Sequence, residues 1–85
     1  MITKQLVAEK LLAYMQHQLS LPQLVAWAED AYLDGDFPEA DALVLSEILG
    51  KIGVADVDNF GLLWSDCDVM MIKLGYKIQV LATAA

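Results

Sequence analysis

Apolar residues recur at helical spacing along the first half of the chain. Over residues 4–19, Val7, Ala8, Leu11, Leu12, Tyr14, Met15 and Leu19 share one face of a helical wheel. Gln5, Glu9, Lys10, Ala13, Gln16 and His17 lie opposite, joined by Leu6. Thr3 stands where an N-cap belongs. Two later stretches carry the same start signal. "SLPQ" at 20–23 and "DFPE" at 36–39 each present a capping residue, an apolar residue, a proline, then Gln or Glu. Proline lacks an N–H, which does no harm in a first helical turn, and the Gln or Glu can reach back to the cap. The pattern predicts helices beginning just after Ser20 and just after Asp36. The second helix is expected to run to about Asp34, with Gly35 as its stop. Its apolar face is Leu21, Leu24, Val25, Trp27, Ala28, Ala31 and Tyr32. The third is expected from about Phe37 to Ile52, stopped by Gly53. Phe37, Leu45, Ile48, Leu49 and Ile52 form its stripe, which Asp41 interrupts. Leu6, Leu33 and Leu43 point away from these stripes, as a second contact surface or as ordinary exposed leucines.

The periodicity changes after Gly53. Residues 53–61, "GVADVDNFG", read as a connection. In the next segment, "WSDCDVMM" at 64–71, Ser65 and Asp68 resemble a capping box. Asp66 and Asp68 also sit where the positive end of a helix dipole favours carboxylates. Cys67, Met70, Met71 and Leu74 line one side of this fourth helix, with Val69 and Ile72 on the other. A helix apolar nearly all round is expected to be buried. Gly75 should end it, with Tyr76 packing back in a Schellman motif. Residues 76–82 then alternate: Tyr76, Ile78, Val80 and Ala82 face one way, Lys77, Gln79 and Leu81 the other. That is the strand period. A lone strand leaves its backbone groups unpaired, so its partner is either residues 60–64 or the same strand of a second copy. The expected fold is mainly α: a small antiparallel bundle of about four helices with a short C-terminal β-strand, in one domain over residues 1–85.

Composition adds a surplus to be accounted for. The chain is 58% hydrophobic, against roughly 45–50% for soluble domains. A core built from so few residues cannot absorb that excess. A subunit or partner interface would cover it, and a symmetric homodimer is favoured. Its expected interface is Val69, Ile72, Tyr76, Ile78 and Val80. A membrane is a poor alternative. The longest uncharged stretch, residues 11–28, contains three glutamines, a histidine, a serine and a proline, unlike a spanning helix. The first residues form no secretory apolar region, and a single cysteine suits a reducing compartment. A soluble, cytoplasmic protein is expected.

Charge narrows the partner classes further. There are 12 acidic residues and 5 lysines, with no arginine, for a net charge of −7. Between Lys10 and Lys51 no lysine or arginine occurs, while Glu29, Asp30, Asp34, Asp36, Glu39, Asp41 and Glu47 do. Binding nucleic acid requires cations to neutralise phosphate, so no nucleic-acid partner is expected. The acidic residues either keep an apolar chain soluble or attract a basic protein. In the second case Glu29, Asp30, Asp34 and Asp36 are the expected contact residues.

No catalytic constellation emerges. "DVDNFG" at 56–61 begins like a calcium loop, with Asp56, Asp58 and Gly61 in register. Phe60 and Cys67 then stand where two oxygen ligands belong, so a turn is the better reading. One cysteine and one histidine are too few for zinc. Cys67 lies on an apolar stripe between two aspartates, which suits a buried structural thiol. His17 lies on a polar face with no carboxylate partner in reach. No enzyme, cofactor or metal is expected. The chain resembles small acidic helical immunity proteins, which neutralise basic nuclease toxins, in size, charge and helix content alone; no shared motif carries the likeness. Three functions are therefore carried forward: a module that holds a basic protein; a homodimeric scaffold or regulatory subunit; and, least favoured, an enzyme, which would need a deep pocket containing His17 or Cys67.

Overall fold

A computed structural model describes residues 1–55 and 63–78. Among the described residues there are four α-helices: α1 (Lys4–Met15), α2 (Leu21–Asp34), α3 (Ala42–Gly53) and α4 (Trp64–Lys73). A 3₁₀ turn, Glu39–Asp41, leads into α3. No strand occurs among the described residues. The molecule is thus mainly helical and bundle-like.

The predicted stripes meet in one core. Val7 and Leu11 of α1, Leu24, Ala28 and Ala31 of α2, and Leu45, Ile48, Leu49 and Ile52 of α3 are all buried in it. So are Cys67, Met70, Met71 and Leu74 of α4 and its C-cap. The helices α2 and α3 form the most extensive pairing. They run antiparallel: Tyr32 lies over Gly50, and Glu29, one turn earlier, lies over Gly53, one turn later.

Local signals explain three helix ends. The Thr3 hydroxyl accepts the Leu6 N–H at 3.1 Å and starts α1. At Ser20 the capping box closes in both directions. Ser20 Oγ accepts the Gln23 N–H at 3.3 Å, and Gln23 Oε1 accepts the Ser20 N–H at 2.9 Å. Gly75 takes φ +91°, so Tyr76 donates to the Met71 carbonyl at 2.8 Å and Gly75 to that of Ile72 at 3.0 Å. That pair of bonds is the expected Schellman motif.

Three expectations are corrected. The first helix stops at Met15 rather than near residue 19. His17 adopts φ +63° and plays the glycine part in a second Schellman motif. Its N–H bonds the Tyr14 carbonyl at 3.1 Å, and that of Gln18 bonds Ala13 at 2.9 Å. Asp36 does not cap α3. Its carbonyl is held by the Ile2 N–H at 2.7 Å, which keeps the chain extended through Pro38 at ψ 134°. The helix begins only after the 3₁₀ turn. The second helix does end at Asp34 with Gly35 as its stop, and Gly35 there is extended, at φ −71°. It is required for close approach, since a Cβ there would strike the Ala31 carbonyl and come within 2.8 Å of Ile2 Cγ1. At α4 the cap is Leu63, two residues before Ser65. Asp66, in place of Asp68, reaches back to it, accepting the Leu63 N–H at 3.0 Å.

The C-terminal strand is not seen at its described residues, 76–78. Tyr76–Ile78 is not strand, because the Tyr76 N–H is committed to the helix cap. Trp64, at the end of the proposed pairing segment, is the first residue of α4. Residues 60–62 and 79–82, and the turn expected at 56–61, lie outside the described residues. The helix α4 is also one-sided. Val69 and Ile72 are 51% and 61% exposed, so the described residues do not enclose it.

Candidate functional site: an acidic face beside an α2–α3 groove

Helix α2 turns Leu24, Ala28 and Ala31 inward. The 3.6-residue period then sends Glu29, Asp30, Leu33 and Asp34 outward, and all four are exposed. Asp36 follows just beyond the helix and is exposed too. Glu29, Asp30 and Asp34 therefore stand together on the outward side of α2. Leu33 stands among them and is 76% exposed.

Four of the five lysines are engaged elsewhere. Lys4 pairs with Asp41 at 3.7 Å. Lys73 and Lys51 both bind Glu47, at 2.7 and 3.5 Å. Lys10 lies over the Trp27 ring, 5.6 Å from its centroid. Lys77 is exposed beyond α4. Among the described residues, Glu29, Asp30, Asp34 and Asp36 have no cationic partner. Asp30 and Asp34 are four apart on one helix, a spacing at which like charges repel. Asp41, which interrupted the α3 stripe, is explained by its pairing with Lys4.

Beside this face lies a groove of about 380 Å³ between α2 and α3. Tyr32, Leu33 and Glu29 line one side, and Leu49, Gly50, Gly53 and Val54 the other. The glycines are one turn apart on α3 and open its floor. A Cβ at Gly50 would lie 3.7 Å from Tyr32 Cε2, and one at Gly53 3.6 Å from Glu29 Cγ. Of the groove's residues, only Glu29 was among the expected contact residues. A signal was present in Leu33, which fell off the core stripe, and in the Gly-x-x-Gly spacing of α3.

A larger groove, of about 600 Å³, lies where the α1–α2 turn meets the start of α4, and His17 and Cys67 both line it. Cys67 is 1% exposed. Burial, and then the Asp66 carboxylate, push its thiol up. That is the reverse of what an activated nucleophile requires. Among the described residues no group of three or more His, Cys, Asp or Glu gathers as a metal site.

The residues expected at a dimer interface are divided. Val69, Ile72 and Tyr76 are exposed on α4 and its end. Ile78 is half-buried and packs against the core. Val80 lies outside the described residues. No helix among the described residues is long and apolar enough to cross a membrane. Comparison of the chain with protein-family models, curated proteins and solved structures finds no match.

Proposed function

We propose that the chain is a non-enzymatic protein-interaction module whose acidic α2 face holds a basic protein partner. One observation carries this reading: Glu29, Asp30 and Asp34 are exposed on one side of α2, with Asp36 exposed just beyond it, and among the described residues none of them forms a salt bridge with a lysine. Charge kept only for solubility needs no apolar centre, yet this face surrounds an exposed Leu33. Cations from a partner would relieve the repulsion between Asp30 and Asp34 and speed the encounter. A free, buried cysteine suits a reducing compartment, so the module is assigned to the cytoplasm. The acidity argues against nucleic acid as the partner.

The test is charge reversal. The variant Asp30→Lys with Asp34→Lys alters only exposed side chains, so its circular dichroism and cooperative unfolding should match the wild type. Affinity purification from native cells should recover a basic protein with the wild type and lose it with the variant. An identical set of retained proteins would remove the reading.

A second reading is a homodimer built on α4. The exposure of Val69 and Ile72, three residues apart on α4, favours it. The two readings use different sides of the sequence, α2 and α4, and are compatible.

A further inference from the structure

The α2–α3 groove and the acidic face share Glu29 and Leu33. We infer that the groove receives a large apolar side chain from a lysine- or arginine-rich helix, whose cations meet Glu29, Asp30 and Asp34. This inference deepens the proposed function and rests on it.

Three observations select that occupant. The groove is lined by apolar Tyr32, Leu33, Leu49 and Val54, and among the described residues its one charged lining residue is Glu29. An apolar anchor fits that lining, and a cation fits Glu29. The groove lies between two antiparallel helices, and its floor is opened by glycines one turn apart. A helix laid along such a channel presents side chains at matching intervals. No strand is available among the described residues, so partner binding by strand addition has no edge to use there.

Charge also rejects the other occupants. A second copy meeting this face across a two-fold axis would set Glu29, Asp30 and Asp34 against themselves. Nucleic acid and anionic membrane surfaces would be repelled in the same way. A basic amphipathic helix satisfies the apolar groove and the unneutralised acids together.

The experiment uses two fluorescent helical peptides of equal charge. One carries lysines with leucines at i, i+4 spacing, and the other replaces each leucine by alanine. Binding is read by anisotropy at low ionic strength. The leucine peptide should bind about tenfold more tightly, as expected for an apolar anchor in a desolvated pocket. Gly53→Leu, which fills the groove, should erase that preference while leaving binding of the alanine peptide unchanged. Leu33→Ala, an exposed truncation that spares the core, should reduce the preference independently should Gly53→Leu fail to fold. Reversal at Asp30 and Asp34 should weaken both peptides. Equal binding of the two peptides, weakened only by charge reversal, would overturn the groove and leave the acidic-face reading standing. A leucine preference that survives both groove variants would also overturn it, by moving the apolar contact elsewhere. No binding of either peptide would overturn the acidic-face reading, and the groove with it.

Discussion

His17 takes φ +63° and ends α1 without a glycine. The left-handed region costs an L-residue roughly 1–2 kcal/mol, because Cβ crowds the following carbonyl. Histidine is among the residues that enter it more often than most. The Schellman bonds from His17 and Gln18 hold the turn in place. Replacing His17 with glycine removes the steric cost at an exposed site. His17→Gly is expected to raise stability by about 1 kcal/mol, read as a higher urea midpoint with an unchanged slope. His17→Val, branched at Cβ, should lower it. A lower midpoint for the glycine variant would mean that the imidazole itself supports the turn. This residue also shows why the sequence misplaces the end of α1. Glycine announces a left-handed stop at Gly75, whereas at residue 17 only the packed structure does.

At the level of elements, two matching signals lead to different outcomes. "SLPQ" closes a reciprocal capping box. "DFPE" does not, because Ile2 captures the Asp36 carbonyl and keeps the next residues extended. Local chemistry was legible at Ser20. At Asp36 a contact from 34 residues away in the chain overrode it, and no local pattern could have shown that. Ser20→Ala should therefore cost about 1 kcal/mol, the usual value of an N-cap. Asp36→Ala should cost much less, since its side chain makes no cap bond. Comparable losses at both sites in thermal unfolding would contradict the caps as described. The helices α3 and α4 are also tied by charge, through Glu47 and Lys73 at 2.7 Å. Lys73, and then Lys51, hold the Glu47 carboxyl below the usual range, while Glu47 pushes the Lys73 ammonium up. The carboxylate's contribution is full above its unfolded-state pKa and is lost as pH falls through the lowered folded value. The ammonium's is full below its unfolded-state pKa and is lost as pH rises through the raised folded value. The bridge thus acts between the ordinary carboxylate and lysine ranges. Glu47→Gln should lower Tm slightly at neutral pH, with the difference from wild type shrinking in acid and in high salt. A difference that stays constant from neutral to strongly acidic pH would show that the bridge adds no stability.

For the whole molecule, the surplus of apolar residues meets the distribution of charge. The core residues were legible, because Leu45, Ile48, Leu49 and Ile52 of α3 and Cys67, Met70, Met71 and Leu74 of α4 all lie on predicted stripes. What a wheel cannot show is which of two apolar sides a helix buries against its own chain. Val69 and Ile72 read as part of an enclosed helix and are instead half or more exposed. Leu33, by contrast, stands among unneutralised carboxylates on α2. Acid repulsion opposes self-association at α2, whereas apolar side chains on α4 favour it. If the chain dimerises, the two-fold should therefore run through α4, leaving both acidic faces free for basic partners. Light scattering across a dilution series should give twice the monomer mass down to low micromolar concentration. Ile72→Glu should halve that mass while preserving helix content, since it alters an exposed side chain. Asp30→Lys should leave the mass unchanged. A wild-type monomer at every concentration would reject the α4 dimer and leave Val69 and Ile72 as an apolar surface for a different protein. A dimer lost on Asp30→Lys and kept on Ile72→Glu would place the contact at α2, against the sign of its charges.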